Sequence, residues 1–233
     1  MTAKSTVLLA AFDIAGTLME DTGAIIRSFL QAFETNGIPT NREELAELRG
    51  RSKTEVIGNI VRKHKGEKLP ETENLAEDIY SSFRSLLEEN YRNEDVNPIP
   101  GAEETLKWLR ERGILTATTT GFYREVRDLV LEKLGWGGSF FDCNVCSDDV
   151  TKARPAPYMI FECMSRLGVM DINSVIAIGD TTADMQAGCN AGCRGVIGVL
   201  SGAHGIELLG MTRHTHIIPS VAHLPKLIES MML

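Results

Sequence analysis

The stretch that most constrains this chain is residues 7–18, Val7-Leu8-Leu9-Ala10-Ala11-Phe12-Asp13-Ile14-Ala15-Gly16-Thr17-Leu18. Six apolar residues run without interruption into an aspartate. An apolar run of that length with a polar stop reads as a strand buried on both faces, the strand type of a parallel sheet. Gly16 then lets the chain turn away. Asp13 is therefore expected at the carboxyl end of a central strand, the edge where open α/β sheets bind their ligands. A carboxylate there, beside a permissive glycine and a hydroxyl, suits a nucleophile or a metal ligand. The alternative is that Asp13 only caps a turn or helix.

After Leu18 the spacing turns helical and stays so for about eighty residues, longer than a simple crossover between strands needs. Ile25, Ile26, Phe29, Leu30 and Phe33 mark a helix over 24–35. Asn41 starts a second, through 48. Ser52 and Glu55 have capping-box spacing and open a third, with Val56, Ile57, Ile60 and Val61 on its apolar side. Residues 65–72 read as a polar linker and 74–91 as a fourth helix. Asn97-Pro98-Ile99-Pro100-Gly101 is turn chemistry and marks a hinge. Beyond it helices are expected over 102–112, 124–134, 157–167, 182–191 and 224–231. Strands are expected over 114–119, 143–146, 175–178, 195–199 and 216–218. Repeated βα units specify a parallel sheet with helices on both faces. The expected class is α/β: a Rossmann-like doubly wound parallel sheet core with an inserted all-helical cap domain after the first strand. The core takes residues 1–18 and 100–233, and the helical cap takes 19–99.

The net charge of −8 argues against nucleic acid as the main partner, although a few local cations can still hold a phosphate. No apolar run has membrane-spanning length. Lys4 stands before only a short apolar run, so the N-terminus does not read as a signal peptide. Five cysteines without disulfide spacing suit a reducing cytoplasm. Cys143 and Cys146 fall on an expected strand and point to opposite faces, which disfavours a shared zinc. Cys189 and Cys193 could share a helix face, with buried packing the better expectation. His214 and His216 alternate on a strand, as a polar face or a metal pair. Trp108, Trp136 and the cap's apolar face could support a dimer, so a monomer or a homodimer is expected.

Four strand ends carry chemistry. The first is Asp13. The second is Thr119-Thr120-Gly121, whose hydroxyls and backbone N–H groups can hold phosphate oxygens. The third is Lys152 and Arg154, ahead of Pro155-Ala156-Pro157; arginine suits bidentate phosphate binding. The fourth is Gly179-Asp180-Thr181-Thr182-Ala183-Asp184, a strand-end carboxylate with another at i+4. Together with Asp13 these would make a hard oxygen site suited to Mg²⁺. The plainer reading is that Asp180 and Asp184 only favour a helix N-terminus. In this order, the four ends resemble the haloacid dehalogenase superfamily over nearly the whole chain. The resemblance implies Asp13 as the nucleophile that forms an aspartyl-phosphate, and Thr119 as phosphate ligand, with Thr118 and Thr120 close enough for an error of one. It implies Arg154 as the motif cation, with Lys152 second. It implies Asp180 as Mg²⁺ ligand together with Asp13 and the Ala15 carbonyl, and Asp184 as its water-mediated partner.

The family's usual pattern has a second aspartate two residues after the nucleophile, which protonates the leaving group. Here that position is Ala15. Asp-x-Ala-Gly-Thr is similar to the phosphonatase branch, in which a cap lysine forms a Schiff base with an aldehyde and the iminium accepts the electrons of the breaking C–P bond. Lys53, three residues after Gly50, has that branch's spacing. The helix dipole at that end should lower its pKa and favour the neutral amine. Otherwise Lys53 only binds substrate phosphate. Thr119-Thr120-Gly121-Phe122-Tyr123-Arg124-Glu125 and Arg154-Pro155-x-Pro157 also resemble the branch. Arg49 and Val56 depart from it, standing where the branch has methionine and histidine. Arg49 and Arg51 point to a more anionic or larger substrate. With Thr120, Gly121 and Gly50 they complete the expected binding set. His204, after a strand end, is expected to border the site. The reaction implied is hydrolysis of a small phosphonate. The alternatives are a phosphomonoester phosphatase of the phosphoglycolate type and a weakly active phosphate-binding relative.

Overall fold

The computed structural model describes residues 7–66 and 70–231. Lys4 and residues 67–69 of the expected linker lie outside the described residues. Six strands form one sheet: β1 (Leu9–Phe12), β2 (Leu115–Thr120), β3 (Cys143–Cys146), β4 (Val175–Gly179), β5 (Gly195–Val199) and β6 (His216–Ile218). All neighbours are parallel, in the order β3-β2-β1-β4-β5-β6. β1 is central and every one of its residues is buried. Phe12 is paired with Thr118 on one side and Ile178 on the other, so Asp13 emerges beside the ends of β2 and β4. The connections from β1 and β4 leave in opposite directions there, which opens the crevice that such sheets use for ligands.

Four helices follow β1 before residues 97–101: α1 (Ala24–Thr35), α2 (Arg42–Glu47), α3 (Lys53–Lys65) and α4 (Pro70–Asn93). Ile26, Phe29 and Phe33 of α1 are buried as their spacing required, and Phe29 stacks on Phe83 of α4. α4 begins at Pro70, earlier than the polar composition of 65–72 suggested. Proline suits a first helical position because its missing N–H has no intrahelical partner to lose. The remaining helices are α5 (Ala102–Glu111), α6 (Arg124–Lys133), α7 (Tyr158–Leu167), α8 (Thr182–Ala191), α9 (Ile206–Gly210) and α10 (Leu224–Met231). α9 escapes a periodicity reading because one short turn has too few residues to show a period.

Several side chains sit differently from their sequence expectation. Cys193 lies beyond α8, after the left-handed Gly192, so it does not share a helix face with Cys189. Both are only partly buried, against Met185, Val196 and Leu209. His214 precedes β6 and bonds to the Thr212 carbonyl, so it forms no strand pair with His216. Trp136 is fully buried and donates to Glu103 Oε1 at 2.8 Å, which removes it from any dimer surface.

The two connections into the helical insertion run side by side. Glu20 N–H donates to the Asn97 carbonyl at 2.9 Å and Ile99 N–H to the Leu18 carbonyl at 2.8 Å. The end of α4 is gripped from α6: Lys133 Nζ donates to the carbonyls of Tyr91 (2.8 Å), Arg92 (3.1 Å) and Glu94 (2.5 Å). A helix C-terminus presents carbonyls without partners, and a lysine there satisfies them. Tyr123 adds a second grip, donating to Glu88 Oε1 or the Arg84 carbonyl, each at 3.1 Å, beneath the Arg84 guanidinium. Lys133→Met is expected to lower unfolding free energy by about 1 kcal/mol, because the grip is partly solvated. Urea titration of the two proteins checks this.

Candidate active site

Asp13 follows the last residue of β1, and its N–H donates to the Ile178 carbonyl at 2.9 Å. Its carboxylate is buried and accepts from Arg154 Nη1 at 2.7 Å. The same nitrogen lies 2.6 Å from Asp184 Oδ1. Arg154 Nη2 donates to the Thr119 carbonyl and, at 3.0 Å, to Thr119 Oγ1. One guanidinium thus joins the ends of β1 and β2 and the first turn of α8. Lys152, the second choice for this cation, is exposed.

The three threonines at the end of β2 face different neighbours. Thr119 turns to Arg154, Thr118 donates to Asn144 Oδ1 at 2.7 Å, and Thr120 lines the cavity together with Gly121. The cavity wall is therefore one residue further along than the expected phosphate ligand.

Asp180 follows the last residue of β4 and is enclosed by a loop. Ala203 N–H donates to its Oδ2 at 2.7 Å, His204 N–H to its carbonyl at 3.2 Å, and Thr17 Oγ1 to its Oδ1 at 3.4 Å. Gly16 and Gly202 approach so closely that a Cβ on either would overlap the Asp180 carboxylate. Asp184 uses both of its oxygens, one on Arg154 and the other on the Thr181 N–H and hydroxyl, in a capping box at the start of α8. Its part here is to hold Arg154 and Thr181.

Electrostatics mark the same spot. Burial pushes the Asp13 carboxyl up to about 6; Arg154 opposes this and Asp184 reinforces it. Asp180 is pushed well above the usual carboxylate range by burial, then by Asp13 and Asp184. Buried carboxylates that repel each other favour a bound cation. Among the described residues no three His, Cys, Asp or Glu side chains form a metal cage. Two carboxylates and the Ala15 carbonyl are hard oxygen donors. They fit Mg²⁺, which keeps waters and shares substrate oxygens rather than filling an all-protein cage.

The insertion closes the site. Asp21, Ile25, Arg49, Gly50 and Lys53 meet Asp13, Ala15, Thr120, Gly121, Phe122, Arg154, Asp180, Thr181 and Ala203 around a cavity of about 40 Å³. Lys53 opens α3, where Ser52 Oγ accepts from Glu55 N–H at 3.5 Å. Its amine is buried, 3.4 Å from the Arg51 carbonyl. Burial is the main reason its pKa falls to about 8; Arg154 and Arg49 lower it further, against Asp13 and Asp184. Arg49 lines the cavity in an ion pair with Asp21, so its charge is largely offset. Arg51 is not among the lining residues.

Gly50 packs on Thr181 with φ +78°, and a Cβ there would overlap the Thr181 hydroxyl. Gly50→Ala is expected to cost about 1–2 kcal/mol from the left-handed backbone alone. Thermal unfolding measures it.

The part played by His204 was hardly legible in sequence. The ring is 4% exposed, accepts from Thr182 N–H at Nδ1 (3.1 Å), and reaches the Ala46 carbonyl in α2 at 3.4 Å. No motif flags it, because its partners are backbone atoms far apart in sequence.

The comparisons agree with this geometry. The sequence model of the haloacid dehalogenase-like hydrolases matches residues 10–199. A phosphonoacetaldehyde hydrolase of Bacillus cereus is 36% identical over 208 residues, covering 84% of this chain and 77% of that protein. A phosphonoacetaldehyde hydrolase-like protein from Oleispira antarctica superposes with a TM-score of 0.85 at 22% identity, over 97% of this chain and 92% of that one. A structure described as a predicted phosphoglycolate phosphatase from Haemophilus somnus gives 0.79 at 20%, over 97% and 99%. With the sheet order, the buried aspartates at its crevice and a match over most of its length, the chain belongs to the haloacid dehalogenase-like hydrolase family.

Proposed function

We propose that this hydrolase cleaves the C–P bond of phosphonoacetaldehyde or a closely related phosphonate, with residues 19–99 acting as the cap. One observation carries the reading: a buried lysine amine of lowered pKa shares a small cavity with Asp13, where Ala15 supplies no acid. The neutral Lys53 amine adds to the substrate aldehyde and loses water, giving an imine. Asp13, held by Arg154, attacks phosphorus. The C–P bond breaks and its electron pair moves into the protonated imine, which becomes an enamine, so no acid at position 15 is needed. Water then hydrolyses the aspartyl-phosphate to phosphate, and the enamine takes up a proton and water to release acetaldehyde. Asp13, Asp180 and the Ala15 carbonyl would hold Mg²⁺, which when bound offsets the repulsion between carboxylate and phosphonate. Thr120 and Gly121 provide a hydroxyl and a backbone N–H toward the phosphonyl oxygens. The cap excludes water from the reacting centre.

The test is release of acetaldehyde and phosphate from phosphonoacetaldehyde with Mg²⁺, in wild type and Lys53→Arg. Turnover that vanishes in the variant supports the imine; turnover that survives in it removes the imine. Phosphate-ester turnover without phosphonate turnover would favour the phosphoglycolate type, for which Arg49 in the cavity wall is the supporting observation. Binding of phosphate and Mg²⁺ with no turnover of either would leave a phosphate-binding relative. The pH profile adds a check. Lys53 is protonated and unreactive below its pKa, so borohydride trapping of the imine should rise through about pH 8 and level off above it. An ordinary lysine would go on rising past pH 10 or so.

A further inference from the structure

We propose that His204 is a positioning residue that latches the α2–α3 part of the cap onto the loop carrying Asp180. Its ring has a single consistent arrangement. The Thr182 backbone N–H can only donate, so Nδ1 is the unprotonated acceptor at 3.1 Å. The proton is then on Nε2, facing the Ala46 carbonyl, which can only accept, at 3.4 Å. The residue is buried, and its backbone N–H donates to the Asp180 carbonyl at 3.2 Å. Each partner is close to the chemistry. Ala46 lies in the last turn of α2, just before Arg49, Gly50 and Lys53, which the cap contributes to the cavity. Thr182 is the first residue of α8, directly after Asp180 and Thr181. Gly50 against Thr181 is the neighbouring contact of the same seam. His204 does not line the cavity, so it acts through these residues. Docking of the cap and placement of the Asp180 loop are thereby linked through one imidazole.

This rests on the proposed reaction only where turnover is read; the first readout needs no substrate. Trypsin cuts after Arg49 and Arg51 if the cap loop leaves the core, and after Arg112 in the core as an internal control. With Mg²⁺ and inorganic phosphate present, His204→Ala should speed cutting at Arg49 and Arg51 about fivefold or more, with Arg112 unchanged. On phosphonoacetaldehyde it should raise KM about tenfold with a smaller change in kcat. His204→Gln should restore much of both, because a carboxamide can accept from Thr182 and donate to Ala46. Thr182→Pro provides a second route. It deletes the N–H that fixes the ring, at a first helical position where proline is well tolerated. Thr181 before it is already extended, as a residue preceding proline must be. This variant should reproduce the loop cutting of His204→Ala. Wild-type cutting at Arg49 and Arg51 in both variants overturns the latch. Equal acceleration at Arg112 in both also overturns it, since His204 would then only hold the core together. Failure to turn over phosphonoacetaldehyde would strike the proposed reaction and leave the trypsin result standing.

Discussion

Asp13→Asn is expected to lower turnover by at least about 10⁴-fold, because a carboxamide cannot form the acyl-phosphate of the proposed reaction. The fold should survive. In the native protein the Asp13 carboxyl is pushed up to about 6, mainly by burial, so its ionised form is held at a cost at neutral pH. The variant removes that charge, and Arg154 keeps Asp184 at 2.6 Å. The melting temperature at pH 7.5 should therefore stay level or rise as activity disappears. Wild-type turnover in the variant would remove Asp13 as nucleophile. Activity and melting temperature lost together would make Asp13 a structural group.

Arg154→Met should have the opposite character, a large loss of stability. Its guanidinium is the shared buried partner of Asp13 and Asp184 and also holds Thr119. Removing one side of a buried pair leaves unpaired charge, worth about 3–5 kcal/mol. The pH dependence has a definite sign. Asp13 already stands above its ordinary value of 3.8, at about 6, with Arg154 in place; without Arg154 it climbs further. A carboxyl raised on folding favours the folded state while protonated, and that advantage is lost as pH rises through its folded pKa. The deficit of the variant should therefore be smaller at pH 5 than at pH 7.5. Urea titrations at the two pH values read it directly, and an equal deficit at both would place the loss in packing instead of charge.

Much of this was readable from residues alone. The apolar run into Asp13 called for burial on both faces; its last four residues, Leu9 to Phe12, are buried in the middle of the sheet, whereas Leu8 before them is exposed. Asp13, Arg154 and Asp180 were legible because each follows a strand end or stands beside turn-forming residues, so topology gathers them. Choosing between Thr119 and Thr120 required a phase of the strand, and three threonines in a row carry no polarity contrast to set it. The start of α4 was hidden by the polar composition of residues 65–72, which local pattern alone assigns to a linker, whereas the helix includes Pro70. The lowered pKa of Lys53 was expected in direction, but its cause is burial between two parts of the chain, which no local pattern encodes. His204 was harder still: its partners are two backbone groups, which every residue has.

The grip of Lys133 and Tyr123 on α4 bears on any attempt to exchange specificity between relatives. The stretch 19–99 looks like a cassette, with both ends in one paired hinge. Yet the last turn of α4 finishes its hydrogen bonds on α6, and Arg84 stacks over a tyrosine that belongs to the other part of the chain. A chimera that transplants only 19–99 would carry carbonyls and a guanidinium whose receptors stayed behind. The transferable unit is the insertion together with Tyr123 and α6, and a swap designed on that boundary keeps the seam intact.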